Sequence, residues 1–403
     1  MQVFIFDLLA YGKHLDHLMV NGSLPRPLGK KNFDPEVMWR TYDEHLSAWA
    51  EMERVGFDGV AVNEHHGTPY GSMNSPNLLA AAVSQRTTKL KILIYGNLLP
   101  LHEPLRLAEE LAMLDCLSNG RLIAGVARGA PREYRIYNVP MAESRARFDE
   151  CFEIMRKAWT EDSFSYEGKF HSYKDVSIWP RPVQQPYPPV WVPVTGSKDS
   201  IEWAANNDVP ITPGLSRLSG AEGWAAREDI IRHYALCLSK RGKRMTPAHL
   251  NLPVDCYVAD SKAQAIKEYG PYQLYFQNAL FSYDHVTQEQ MDKGYYSPTA
   301  LDHLRPDVKR TVRSDAPFTA GLTLEKVARQ AEDFAWGTPD EVVERIIEEA
   351  EHAGAETVLL SCNRGAIPQE MFLNQIRRIG EEVLPRLHAH KITRVRLAEG
   401  IND

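Results

Sequence analysis

Leu90-Lys91-Ile92-Leu93-Ile94-Tyr95-Gly96-Asn97 is a nearly continuous apolar run, as a parallel strand covered on both faces requires. It is followed by Glu103–Leu117, in which Leu105, Ala108, Leu111, Ala112 and Leu114 recur at helical spacing, and by the turn signature Ser118-Asn119-Gly120. A second apolar run, Arg121–Arg128, then completes a strand-helix-strand unit. Parallel strands need such crossover helices, so the unit predicts a parallel α/β sheet.

The same rhythm extends in both directions. Further strands are expected at Gln2–Asp7, Gly59–Asn63, Val190–Gly196, Val209–Gly214, Leu252–Val258 and Thr357–Cys362, making eight in all. Helices are expected at Met38–Val55, Arg145–Trp159, Ser200–Ala205, Ala225–Ser239, Thr338–Ala353 and Pro368–Leu387. An alternating series fits an open doubly wound sheet or a closed barrel, and eight repeats favour a single (β/α)8 TIM barrel. That barrel domain occupies residues 1–390, with 391–403 as a C-terminal tail and insertions after strands 4 and 7. The first insertion, 162–189, carries Trp179-Pro180-Arg181-Pro182 and Pro186-Tyr187-Pro188-Pro189 and reads as an extended excursion. The second, 268–321, is aromatic: eight of the 28 residues from Tyr269 to Tyr296, against 9% for the chain. It reads either as a satellite hydrophobic cluster or as a lid over substrate.

Composition narrows the function. The chain has 403 residues, 43% of them hydrophobic and 25% charged, which is the make-up of a globular protein with a sizeable core. Its 46 Lys and Arg against 53 Asp and Glu leave a charge of −7, with both signs dispersed, so nucleic acid is not an expected partner. The five cysteines match neither a zinc ribbon nor a redox pair and read as reduced thiols. With no basic leader and no membrane-length apolar run, a cytoplasmic location is expected.

In a barrel, catalytic groups project from the C-terminal ends of strands. Strand two ends in Asn63-Glu64-His65-His66-Gly67, where Glu64, His65 and His66 can supply a general base and the partner that fixes its tautomer. The same residue types also bind metal or simply close a strand end. Strand four ends at Arg128, and strand five in Thr195-Gly196-Ser197 with Ser200 one turn later. Hydroxyls, backbone N–H groups and a helix N-terminus beside a permanent cation suit a phosphate monoester. Ser197 serves equally well as a simple helix cap. His14 and His17 read as surface or pocket residues, and His102 as solvated or near the cofactor edge. Leu78–Val83 is apolar enough either to pack on the barrel or to pair two copies in a homodimer.

In order and spacing these residues resemble the bacterial luciferase-like, flavin-dependent monooxygenases over about residues 1 to 390. The markers are Asn63-Glu64-His65-His66, then Leu99-Pro100 with Pro104, Arg106 and Ala108-Glu109, then Leu114-Asp115 with Leu117-Ser118 and Gly120-Arg121. Ala127-Arg128-Gly129, Ser144-Arg145 and Gly196-Ser197 with Ser200 and Glu202-Trp203-Ala204 complete the set. The resemblance implies a barrel that takes reduced FMN (FMNH2) from a separate NAD(P)H:flavin reductase. It would form a flavin C4a-peroxide with O2 and oxygenate a small hydrophobic or aromatic substrate. It implies that Arg128, Ser197 and Ser200 hold the phosphate, with Thr195 and Gly196 adding backbone contacts. Tyr95, Gly96 and Asn97 would face the flavin ring, and His65, beside Glu64 and His66, would carry acid–base chemistry. The oxygen chemistry belongs to the flavin, so a lid of Tyr272, Tyr275, Phe276, Phe281 and Tyr283 would serve to exclude water. Ala127 and Gly196 stand where bacterial luciferase has a cysteine and a glutamate, which argues against light emission but not against flavin binding.

Two alternatives stay open. A deazaflavin-dependent oxidoreductase of the same barrel family would want a roomier, more basic phosphate pocket. A barrel metallohydrolase would want a His-x-His at the end of strand one, where Asp7-Leu8-Leu9-Ala10 stands instead. No resident metal is expected.

Overall fold

The computed structural model describes all residues except 21–23, 26, 215–219, 282–293, 296, 298, 301, 305–321 and 402–403; for 220–222 and 281 it describes the backbone alone. The strands are β1 (Gln2–Phe6), β2 (Gly59–Val62), β3 (Lys91–Leu98), β4 (Leu122–Ala127), β5 (Phe164–Glu167), β6 (Ser172–Val176), β7 (Val192–Val194), β8 (Ile211–Pro213), β9 (Asn251–Val258), β10 (Ala335–Gly337) and β11 (Thr357–Ser361). The helices up to the aromatic segment are α1 (Pro35–Val55), α2 (Pro76–Ser84), α3 (Pro104–Ser118), α4 (Pro131–Ile136), α5 (Ser144–Thr160), α6 (Lys198–Asn207), α7 (Gly220–Ser239) and α8 (Lys262–Tyr275).

Seven strands form one parallel sheet in the order β10-β9-β11-β1-β2-β3-β4, with Gln2 opposite Thr357, Phe4 opposite Gly59 and Ile92 opposite Leu122. β7 and β8 pair in parallel beside it. The N–H groups of Ala124 and Val126 donate to the carbonyls of Pro189 (2.8 Å) and Trp191 (2.9 Å) just ahead of β7, and Ile211 of β8 bridges to Leu250 just ahead of β9.

Alternate residues along the strands belong to two separate apolar clusters. Val3, Ile5, Val60, Ile92, Leu122 and Val358 join the large core under the helices. Phe4, Ala61, Leu93, Ile123 and Leu359 form a small cluster of their own, capped by Phe6, Tyr95 and Trp191. Strand residues alternate faces, so a sheet apolar at every position must be covered on both sides.

The helices are punctuated as their sequences require. The Asp34 side chain accepts from the N–H groups of Glu36 and Val37, with Pro35 at the first position, and α1 stops at Gly56 in the left-handed region (φ 98°). Asp7, just past β1, is fully buried and ties β1 to α1 through His45 Nδ1 (2.6 Å) and the Trp49 indole N–H (2.8 Å). It therefore has a structural task at a strand end.

Two sequence expectations need correction. The 162–189 excursion is not simply extended: it holds the antiparallel hairpin β5–β6, whose Lys169, Phe170 and His171 N–H groups are gathered by the Glu150 carboxylate. The helix expected at Pro368–Leu387 runs as Gln369–Arg378, a π-turn at Ile379–Val383 and Leu384–Ala389, and Pro385 has no N–H to continue the ladder. In the expected tail, Val395, Leu397 and Ala398 are buried.

Between Ile94 and Asn97 the register of β3 against β4 shifts, and Tyr95–Gly96 is a cis peptide. A Cβ on Gly96 would stand 2.6 Å from the Gly125 carbonyl carbon, so only glycine permits this approach.

Candidate active site at the strand ends

Asn63, Glu64, His65 and His66 follow β2, and their side chains face different neighbours. Glu64 is 2% exposed and saturated: its carboxylate accepts from His66 Nε2 (2.9 Å), His102 Nε2 (2.9 Å), the Leu98 N–H (3.0 Å) and Asn97 Nδ2 (3.3 Å). Burial alone would raise its pKa, but the bonds from His102 and His66 overcome that and hold it at about 2. Burial lowers His102 and the Glu64 carboxylate raises it, with the balance upward. His102 is thus a partner of Glu64 and not a solvated residue. His66 is also engaged on both nitrogens, since Tyr137 Oη lies 3.0 Å from Nδ1.

The Glu64 cluster carries a signed pH prediction. A carboxyl depressed from 4.5 to about 2 contributes stability above pH 4.5 and loses it as pH falls toward 2. Raised His102 contributes most below its ordinary 6.5 and fades as pH climbs past its higher folded value. Glu64→Gln should cost about 2 kcal/mol at neutral pH and flatten the loss of stability between pH 4.5 and 2. Urea unfolding at several pH values checks this; an acid limb as steep as in the parent would refute it.

His65 faces another set. Its Nδ1 lies 3.1 Å from Glu133 Oε1, and Glu133 is fully buried beside Arg132 (3.3 Å). Burial pushes the Glu133 carboxyl up, and the His65 bond, with the charges of His65 and Arg132, brings it down on balance. The Tyr70 ring stands edge-on to His65 at 4.9 Å and against Phe276 at 5.6 Å. The Arg364 guanidinium covers Phe276 at 5.0 Å and pairs with Asp255 at 3.0 Å.

Arg128 follows β4, and Ser197 and Ser200 lie at the start of α6 after β7. Arg128 Nη1 donates to the Tyr295 carbonyl (2.8 Å), and its guanidinium lies 4.2 Å from the Tyr295 ring centroid. Arg145 Nη2 donates to Ser200 Oγ (2.7 Å), while Nη1 is 3.4 Å from Asp149. Burial and the nearby charge of Arg128 both lower the pKa of Arg145, so two like charges are held close at the N-terminus of α6. Ser197 Oγ and Arg145 Nε are buried with no hydrogen-bond partner among the described residues. Ser197 caps α6 without a side-chain bond, which leaves both groups for an anion. A phosphate monoester fits this cradle. Gly196 is buried with φ 120°, and Thr195 is exposed at the rim.

Of the other expected residues, Asn97 is fully buried on Glu64 and Asn77, and Tyr95 caps the small cluster with its hydroxyl near Thr212 and its pKa raised by burial. Tyr275 stacks on His14 at 3.9 Å and accepts from the Leu15 N–H, with Tyr272 edge-on to His14 at 5.5 Å. His14 Nε2 lies 2.9 Å from the Gly365 carbonyl, so it is a tie between loops. Tyr275 and Phe276 are buried. Phe281 is described in its backbone alone, and Tyr283 lies outside the described residues.

Arg145, Glu133 and Arg364 are the groups not singled out as site residues from the sequence. Arg145 stands beside Ser144, 17 residues past Arg128. Pro131-Arg132-Glu133 opens a helix with proline in its first turn, a legible start signal.

The parallel α/β sheet carries its ionisable groups in the stretches that follow β2 and β4 and at the start of α6. The luciferase-like monooxygenase family matches residues 22–357, and the chain belongs to that family. It is similar to the oxygenase component of flavin-dependent trigonelline monooxygenase from Acinetobacter baylyi, 29% identical over 185 residues, 45% of this chain and 51% of that one. The chain spans about half the length of that relative. Monooxygenase RslO1 from Streptomyces bottropensis shares the fold at TM-score 0.68 and 25% identity, covering 96% of this chain and 99% of that one. So does the oxygenating constituent of 3,6-diketocamphane monooxygenase from Pseudomonas putida, solved with FMN: TM-score 0.68, 18% identity, 96% and 98% covered. No helix among the described residues is long and apolar enough to cross a membrane.

Proposed function

We propose that this chain is an FMNH2-dependent monooxygenase that uses O2 to oxygenate a small hydrophobic or aromatic substrate, with reduced flavin supplied by a separate reductase. The observation that carries the reading is the cradle of Arg128, Arg145, Ser197 and Ser200, with its buried unpartnered Ser197 hydroxyl. The hydrogen bonds from β4 to the β7 approach, and the bridge from Ile211 of β8 to Leu250, support closure of the sheet into an eight-stranded barrel. A homodimer through α2 belongs to the same proposal: Leu78 is 73% exposed, beside exposed Met113 and Leu117 of α3.

Reduced FMN, when bound, supplies the electrons that activate O2. The protein's work is placement and exclusion of water. Arg128, Arg145, Ser197 and Ser200 fix the phosphate, with Thr195 and Gly196 at the backbone. Tyr95, Gly96 and Asn97 border the ring. His65, its Nδ1 held by Glu133, offers Nε2 to a proton at the reacting centre, while Glu64 and His66 hold the strand end in place. Phe276 and Tyr70 wall off water beside His65.

The test is equilibrium binding of FMN, riboflavin and a deazaflavin coenzyme, followed by O2-driven reoxidation of the bound reduced flavin. FMN should bind at least about tenfold tighter than riboflavin, the worth of one charge-assisted contact. Equal binding would sink the cradle; preference for the deazaflavin would replace oxygenation by hydride transfer. Phe276→Ala should reoxidise bound reduced FMN severalfold faster and release more hydrogen peroxide. An unchanged stopped-flow trace would remove Phe276 from the water barrier.

A further inference from the structure

A second cluster of ligand-type side chains lies between α6 and α7, beyond the phosphate cradle. Glu202 is on α6; His233 and Cys237 are four residues apart on α7, so they share one face of that helix. The donor atoms of these three residues lie within 4.8 Å of one another. His233 Nε2 is 3.6 Å from Glu202 Oε1 and 3.7 Å from Cys237 Sγ. The first separation exceeds an ordinary hydrogen bond. Both are close to the edges of a tetrahedron of N, O and S donors set about 2.0–2.3 Å from a central ion, roughly 3.3–3.6 Å.

His303 supplies the second, independent observation. Its ring centroid is 4.9 Å from that of His233, and both of its nitrogens are buried with no hydrogen-bond partner among the described residues. An imidazole with two buried, unanswered nitrogens is costly, and a bound cation would answer one of them.

We propose that Glu202, His233, Cys237 and His303 bind one zinc-type divalent cation. Glu202, His233 and Cys237 supply gathered oxygen, nitrogen and sulfur donors, and His303, beside His233, turns in as the fourth, which closes the coordination as in a structural zinc site. Cys237 coordinates as the thiolate and its proton passes to solvent. The Lys198 N–H already donates to the Ala300 carbonyl at 2.6 Å, so an ion held by His303 adds a second tie to the first turns of α6. Lys198 Nζ, 3.6 Å from Glu202 Oε1, is the competing cation and swings into water when the metal enters. The proposal stands or falls independently of the flavin reading, because its readout is metal binding.

The test uses the full chain freed of metal with a chelator, then titrated with zinc chloride against a chromophoric competitor and, separately, with cobalt(II). One zinc per chain should bind. Cys237→Ser and His233→Ala, each confirmed folded by circular dichroism, should weaken binding at least about tenfold, and Lys198→Met should tighten it. Cobalt should show a thiolate-to-metal charge-transfer band that Cys237→Ser abolishes. Substoichiometric zinc on the folded parent, or undiminished binding in both ligand variants, would overturn the site. Should either variant fail to fold, absence of the cobalt–thiolate band in the parent does so alone.

Discussion

Arg145→Ala is expected to weaken FMN binding about 100-fold, the loss of two charge-assisted hydrogen bonds at about 1.5 kcal/mol each. The expectation rests on how this guanidinium is held. It is half-buried within reach of Arg128, whose charge, after burial, depresses its pKa, while Asp149 at 3.4 Å, the Ser200 hydroxyl at 2.7 Å and the charge of Asp199 offset that arrangement. Two cations kept together, offset by Asp149 and Asp199 but with Arg145 still depressed on balance, destabilise the free protein, so removing one should leave its unfolding midpoint unchanged or higher. Weaker ligand binding with equal or greater stability is the mark of a group placed for a ligand. Arg145→Lys should recover part of the affinity, since a point charge cannot reproduce the fork. Titration of FMN by fluorescence quenching, with urea unfolding of the free variant, checks both halves. An FMN affinity within twofold of the parent would remove Arg145 from the cradle.

Much of the scaffold was legible because its signals are local. All eight apolar runs read as strands are strands, since a strand buried on both faces leaves a run that no amphipathic helix would show. The hairpin β5–β6 was not legible: its burial is uneven, and its turn is organised by Glu150 from a different element. The site divided in the same way. Arg128, Ser197 and Ser200 could be read from strand ends and a helix start; Arg145, which bonds Ser200 and feels the charge of Arg128, could not be singled out. The roles within Asn63-Glu64-His65-His66 could not be separated, because the sequence does not say which neighbour each side chain meets. Only the fold shows Glu64 and His66 satisfied by His102, Asn97, Leu98 and Tyr137, with His65 directed to Glu133. Those partners come from other strands and helices, beyond the reach of any spacing rule.

That separation makes His65→Ala the sharper of two histidine tests. The variant is expected to slow substrate-coupled oxidation roughly 100- to 1000-fold, the usual worth of a positioned acid–base group, while FMN affinity stays within about twofold. With Nδ1 held by Glu133 at 3.1 Å, the ring has one tautomer in use and Nε2 is the nitrogen left for a proton. Glu133 keeps Arg132 and the Ala130 N–H as partners after the change, so the fold should lose only about 1 kcal/mol. His66→Ala is the internal comparison: both its nitrogens are committed to Glu64 and Tyr137, so it should reduce stability more and turnover less than tenfold. Glu133→Gln tests the positioning role, because it should shift the pH profile of turnover without touching FMN affinity. Single-turnover rates, FMN titration and urea unfolding on the three variants separate these outcomes. If His65→Ala loses FMN affinity and His66→Ala loses turnover, the two imidazoles have exchanged roles and the acid–base group is His66.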